Sequence, residues 1–259
     1  MRIDGKVALI TGASEGIGAA CVRAFHARGV RVALIARDEA KLRAVAGEND
    51  RVLTGDLTSA EDRRRVVEGA LAHFGRIDIL VNNAGVGLYA PAHQAPMEPT
   101  RRLFELNFFA PLEMTQLVAP GMIRQGSGAI VNVSSIAGKV TLPWFTLYSA
   151  SKYALCSLSD GLRMELRRSG IHVMKVCPGY VDTGFQAHVL GGESPAGVRG
   201  TRRTFAITAE QCAEAIARGL ERNARTVLTP RTGWLFVMAE RLFPGLLDAQ
   251  LERIYYATR

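Results

Sequence analysis
Tyr148 and Lys152, in the run YSASK, stand four residues apart, so on a helix they share one face. A phenol beside an ammonium can move a proton near neutrality. Ionising a tyrosine of pKa near 10 at pH 7 costs about 4 kcal/mol. A cation roughly 4 Å away, at an effective dielectric of about 20, gives the phenolate about 4 kcal/mol of attraction. The two magnitudes match, which suits the pair to general acid and base catalysis. Lysine is scarce here, with five against 27 arginines. The spacing alone is still a weak motif, and its surroundings decide its meaning.

A second cluster is TGASEGIG, residues 11–18. Gly12, Gly16 and Gly18 permit a tight turn and a close backbone approach, so a pyrophosphate could lie against the N-terminus of the following helix. Their spacing is G-x-x-x-G-x-G rather than the commoner G-x-G-x-x-G. Cys21, Cys156, Cys177 and Cys212 lie far apart without a C-x-x-C pair and are expected as small core residues in a reducing compartment. The five histidines lack metal-ligand spacing, and no metal is expected.

These side chains need a frame to hold them. β-rich runs at 6–11, 30–35, 51–56, 77–84, 128–135, 172–177 and 226–230 alternate with helical stretches at 16–28, 38–47, 59–74, 98–125, 147–168 and 208–222. That alternation predicts parallel strands joined by crossover helices. Several strands are apolar on both faces, as strands covered on each side must be. Thr58 with Glu61 or Ser59 with Asp62 can cap the third helix, and Thr208 with Gln211 the sixth. The expectation is a single α/β domain over 1–259: a Rossmann-like, doubly wound parallel sheet of about seven strands with helices on both faces. Its ligands would bind beyond the carboxyl ends of the strands.

Along this frame come TGASEGIG, GDL at 55–57, NNAG at 82–85, Asn107 in LNFF, Ser135 closing VNVSS, YSASK, and PGYVDT at 178–183. In these motifs and their order the chain resembles the short-chain dehydrogenase/reductase family over nearly its whole length. The resemblance implies that Tyr148 exchanges a proton with a carbonyl oxygen while a nicotinamide cofactor exchanges hydride with the carbonyl carbon. It implies that Ser135 hydrogen-bonds that oxygen, that Lys152 binds the ribose hydroxyls, and that Asn107 positions a relaying water. Ser14, Glu15 and Ile17 join the three glycines in the implied cofactor site. Asp56 would meet the adenine amino group, Leu57 its ring, and Asn83, Ala84 and Gly85 the adenine-ribose side. Pro178 and Gly179 would leave room for the nicotinamide, with Val181 and Thr183 against its carboxamide.

The second strand ends in Ala36 and Arg37, which resembles the NADP-preferring members, since a guanidinium can pair with a 2′-phosphate. Glu15 and Asp38 argue the other way. NADP(H) is therefore favoured over NAD(H). Leu142, Trp144, Phe145, Val86, Leu88 and Tyr89 could wall an apolar substrate pocket, and residues 182–206, rich in glycine, would form a lid over it. The extension 231–259 is unusually apolar and breaks at Pro244; it could cover the cleft, pack in a dimer or lie on a membrane surface.

A net charge of +8 suits an anionic partner, but no basic segment interleaves with aromatics, so nucleic acid is not expected. The scattered arginine pairs are expected on solvated faces. No apolar run reaches spanning length, which points to a cytoplasmic protein, with peripheral membrane contact as an option. The expected partners are a small hydrophobic ketone, aldehyde or alcohol and further copies of the chain, as a homodimer or homotetramer. Two other activities fit the same motifs: reduction of 3-oxoacyl chains on a carrier protein, or a catalytically silent nucleotide-sensing protein.

Overall fold
Apolar runs buried on both faces require a sheet with a helical layer on each side. The computed structural model, which describes residues 1–191 and 206–257, has that architecture. β1 (Val7–Thr11), β2 (Arg31–Ala36), β3 (Arg51–Thr54), β4 (Ile79–Asn82), β5 (Gly128–Val133), β6 (Ile171–Pro178) and β9 (Thr226–Thr229) form one parallel sheet in the order β3-β2-β1-β4-β5-β6-β9. The order reverses between β1 and β4, so the chain opens a crevice at the carboxyl ends of those two strands. A short parallel pair, β7 (Val181–Asp182) and β8 (Ile207–Thr208), stands apart from the sheet.

Two apolar layers hold this sheet. On one face Phe25, Leu34 and Ile216 pack together; on the other Leu9, Val66 and Met114 do so. The helices between strands are α1 (Gly16–His26), α2 (Glu39–Val45), α3 (Ala60–Phe74), α4 (Met97–Phe104), α5 (Ala110–Gln125), α6 (Thr146–Glu165) and α7 (Ala209–Glu221). Ser59 rather than Thr58 caps α3, accepting the Asp62 N–H at 3.3 Å, because the Thr58 hydroxyl instead donates to Asp56 Oδ1 at 2.8 Å. Thr208 and Gln211 close a reciprocal capping box on α7.

The expected single helix over 98–125 is interrupted. Glu105–Phe109 forms one π-helical turn between α4 and α5. Pro111 supplies the cause: it has no N–H to offer the Asn107 carbonyl four residues earlier, so regular α-helical bonding cannot run through this point.

The C-terminal segment folds as α8 (Gly233–Leu242) and α9 (Pro244–Ala257), divided before Pro244 as the sequence implies. Phe236, Leu247 and Leu251 turn inward against Cys156, Cys177 and Leu228, while Ile254 and Tyr255 pack beside Trp144 and Phe145. Residues 192–205, most of the expected lid, lie outside the described residues.

Candidate active site
The ends of β1 to β6 deliver loops to the crevice, and together they line a cavity of about 1010 Å³. Gly12 follows β1, Arg37 follows β2, Asn83 follows β4, Ser134 and Ser135 follow β5, and Gly179 follows β6. Of the residues expected to hold a cofactor, Gly12, Ser14, Glu15, Gly16, Ile17, Arg37, Asp56, Leu57, Asn83, Ala84, Gly85, Pro178, Gly179, Val181 and Thr183 all reach this wall. Gly18 does not. A Cβ there would fall 2.0 Å from the Gly12 carbonyl oxygen, so this glycine permits the turn to close on α1 rather than touching a ligand.

The turn itself fits a pyrophosphate. Gly12 and Gly16 have φ of +64° and +54°, a region that disfavours side chains. Glu15 precedes α1 but makes no side-chain cap to it. The helix therefore starts on the cavity wall, at Gly16 and Ile17, without a side-chain cap from Glu15, an arrangement suited to a phosphate. Asn83 braces this turn, its Nδ2 donating to Thr11 O at 3.0 Å and Gly12 O at 3.2 Å.

The charge near the end of β2 is more positive than the sequence suggests. Asp38 caps α2 by accepting the Lys41 N–H at 3.0 Å and also lines the cavity, so it still opposes an anion there. Glu15 is paired with Lys41 at 3.2 Å and His188 at 2.6 Å; burial pushes its carboxyl up, but those partners hold it below the usual range. For Asp56, burial likewise acts upward, yet the Thr58 hydrogen bonds and the Arg37 and Arg102 charges keep the carboxyl low. Arg102, expected on a solvated face, instead lines the cavity from α4. No local signal separates it from its neighbour Arg101; only the tertiary fold does.

Tyr148, Lys152 and Ser135 line the same cavity. The Ser135 side chain favours the ionised form of the Tyr148 phenol, and its oxygen accepts the Ala137 N–H at 3.1 Å. Phe145 stacks on Tyr148 with ring centroids 4.1 Å apart, Tyr89 stacks on Phe145 at 4.4 Å, and Phe185 meets Tyr148 edge-on at 5.9 Å. Phe185 lies in the segment expected as a lid, though no motif singles it out. Gly87 makes room for it, since a Cβ there would lie 2.7 Å from the Phe145 ring and 3.2 Å from Phe185.

The electrostatics correct the sequence expectation. Lys152 Nζ donates to the Val133 carbonyl at 3.0 Å and lies 5.7 Å from the Tyr148 ring centroid, rather than being committed to the phenol. Burial pushes the Tyr148 phenol up; the Ser135 side chain opposes this and Tyr89 adds to it. Burial also brings Lys152 down to about 8, against the pull of Cys156 and Cys177. Desolvation thus outweighs mutual attraction, and the protein's own groups keep Tyr148 as a neutral phenol.

Asn107 is buried and does not line the cavity. Its Nδ2 donates to Val86 O at 2.9 Å and Ser151 Oγ at 3.0 Å, and its Oδ1 accepts the Val86 N–H at 2.9 Å. Ser151 in turn donates to the Tyr148 carbonyl at 2.7 Å. The side chain therefore ties the loop after β4 to the helical turn that carries Tyr148. Of the expected apolar wall, Leu142, Trp144, Phe145, Val86 and Tyr89 face the cavity, whereas Leu88 is withdrawn into the cluster behind it. Phe236 from α8 and Leu190 complete that wall.

A family model described as short chain dehydrogenase matches residues 6–193. Dehydrogenase/reductase SDR family member 7B of Danio rerio is 35% identical over 204 residues, 74% of this chain and 66% of that relative. Among solved structures, a short chain dehydrogenase from Burkholderia cenocepacia in complex with NADP is 30% identical, with a TM-score of 0.82 over 97% of this chain and 99% of that one. A short chain dehydrogenase/reductase from Burkholderia phymatum in complex with NAD is 25% identical, with a TM-score of 0.86 over 97% and 96% of the two chains.

Proposed function
Because the chain belongs to the short-chain dehydrogenase family and is a dehydrogenase/reductase, we propose that it interconverts a hydrophobic ketone or aldehyde and its alcohol, using NADP(H). The observation that carries this reading is that Ser135, Tyr148, Lys152 and an uncapped glycine turn line one cavity. The bound cofactor would supply hydride for reduction, or accept it for oxidation. Every other task falls to the chain. Gly12, Gly16 and the start of α1 hold the pyrophosphate, Lys152 the ribose hydroxyls, and Pro178, Gly179, Val181 and Thr183 the nicotinamide end. Asp56 and Leu57 receive the adenine.

Ser135 and Tyr148 hold the carbonyl oxygen between two hydroxyls, and Tyr148 passes it a proton in reduction. Asn107 contributes through its backbone: with Pro111 four residues on, its carbonyl has no partner from that N–H and can order a water toward Lys152. Ketone-dependent NADPH oxidation, followed by cofactor absorbance over a panel of aryl and alkyl ketones, tests the reading. Turnover with bulky apolar ketones supports it; no turnover with any carbonyl would overturn it.

The preference for NADP(H) rests on Arg37 and Arg102 beside the end of β2, with Glu15 paired to Lys41 and His188 and Asp38 the remaining opposing charge. A charge-assisted bond to phosphate contributes about 1.5–3 kcal/mol, so Arg37→Ala should raise the NADPH KM roughly 10- to 100-fold. The NADH KM should stay within about twofold, because NADH lacks the phosphate that the guanidinium meets. Equal changes for both cofactors would contradict the assignment.

The same proposal treats 1–259 as one catalytic unit, with residues 182–206 as its lid and a dimer or tetramer as its working form. Among the described residues no helix is long and apolar enough to cross a membrane. On α8, however, Trp234, Leu235, Met238 and Leu242 are exposed along one arc, with Leu235 74% and Leu242 61% accessible, and exposed Arg231 and Arg241 stand nearby. An exposed apolar arc with nearby cations fits the surface of an anionic bilayer. The full chain should therefore co-sediment with vesicles containing phosphatidylglycerol, and a Leu235→Glu, Leu242→Glu double variant should remain in the supernatant. Wild-type protein that stays in the supernatant would exclude this contact.

A further inference from the structure
Cys156 and Cys177 are 21 residues apart in the chain, yet α6 packing on β6 brings their sulfur atoms to 3.9 Å. Both thiols are free and nearly inaccessible, 4% and 0% respectively. Ordinary packing accounts for a buried cysteine, as the sequence leads one to expect. It does not account for what surrounds this pair. Lys139 and Lys175 act electrostatically on both sulfur groups, and both sulfur groups act on Lys152. Three of the chain's five lysines thus converge on one dithiol. The hydrogen bond with Cys177 brings the Cys156 thiol below its ordinary range; burial opposes this, while Ser134 and the lysines assist. Electropositive surroundings of this kind favour thiolate and hence reactivity.

The pair also sits directly behind the proposed chemistry. Cys156 follows Lys152 by one helical turn, and Cys177 immediately precedes Pro178 on the cavity wall. The neutral Cys156 thiol donates to Ser134 Oγ at 3.2 Å, and Ser134 Oγ donates to the Lys152 carbonyl at 3.0 Å. Ser134 itself lines the cavity, so a small oxidant admitted there comes within one side chain of Cys156.

We propose that Cys156 and Cys177 form a reversible disulfide on exposure to a hydroperoxide, and that closing this bond lowers turnover by displacing the segment that carries Lys152. The sulfurs must close from 3.9 Å to about 2.05 Å, which draws Cys156 away from Ser134 and strains the α6–β6 contact. In chemical terms the Cys156 thiolate attacks the peroxide oxygen, the O–O bond breaks, and an alcohol or water leaves. The resulting sulfenic acid condenses with the Cys177 thiol, and the S–O bond is replaced by S–S with loss of water. Two thiols and one hydroperoxide give one disulfide, one alcohol (or water) and one water. Attack by a small thiol on either sulfur reverses the linkage through a mixed disulfide.

The experiment treats the purified full chain with hydrogen peroxide, then follows peptide mass under non-reducing conditions and ketone-dependent NADPH oxidation. The expected result is a peptide pair linked through Cys156 and Cys177, at least a fivefold loss of turnover that tracks the linkage, and recovery of both with dithiothreitol. NADPH added beforehand should slow the linkage, because the cofactor occupies the cavity that Ser134 lines. Cys177→Ala, compared with its own untreated activity, should lose the rapid reversible inactivation. The mass readout is independent of the enzymatic reading, so failure of the reductase assay leaves the linkage still testable. Cysteines that remain unlinked while peroxide oxidises other sites would overturn the proposal, as would a linked protein with undiminished turnover.

Discussion
Tyr148→Phe should lower the rate of ketone reduction by about 10²- to 10⁴-fold, the range expected when a positioned proton donor is removed. NADPH binding should change little, within about twofold, because phenylalanine keeps the ring that Phe145 and Phe185 flank. Those contacts also protect the fold, so the variant isolates the hydroxyl. The size of the effect follows from the state in which the site holds the phenol. Burial keeps it protonated, which is the form reduction requires, and outweighs the opposing influence of Ser135. Steady-state kinetics with a saturating ketone would check this. Turnover within tenfold of the parent would remove Tyr148 from the chemistry.

Ser135→Ala should cost about 10²–10³ in kcat, the loss typical of deleting one hydrogen-bond donor aimed at a developing oxyanion. Ser135 has two tasks, and they can be separated. Its oxygen accepts the Ala137 N–H at 3.1 Å, closing the short turn Ile136–Gly138, and in the proposed reaction its hydroxyl donates to the carbonyl oxygen. Losing the first bond costs about 1 kcal/mol of stability, visible as a small drop in Tm. Losing the second appears only in turnover. Ser135→Thr restores a hydroxyl and should recover part of kcat; if alanine and threonine variants fall equally, the oxygen-holding role is wrong.

The sheet was legible because its strands are apolar on both faces, and the glycine turn because side chains disfavour that backbone. Both are local facts. Ser59 and Thr58 show the limit of such signals: either could cap α3, and the choice fell to Ser59 because Asp56 engages the Thr58 hydroxyl. The helical break at Asn107 had a local cue in Pro111, but its form, a π-turn, depends on the buried bonds Asn107 makes to Val86 and Ser151.

What the sequence could not supply was the relative placement of distant side chains. Tyr148 and Lys152 do share a helical face, yet the Val133 carbonyl at the end of β5 takes the ammonium, so attraction estimated from helical spacing alone was too large. Arg102 enters the cavity from α4, a helix that carries none of the motifs. Cys156 and Cys177 are neighbours only because α6 lies on β6. In each instance a tertiary contact assigned the side chain its partner, and spacing carried no record of it.

The most direct test of the central claim, that Tyr148 exchanges the proton, is the pH dependence of alcohol oxidation at saturating NADP⁺. Oxidation needs the phenolate, which accumulates as pH rises, so the rate should climb about tenfold per pH unit below the tyrosine pKa in the complex. Tyr148→Phe should retain a small residual rate without that climb. An identical ascending limb in wild type and Tyr148→Phe would contradict the account.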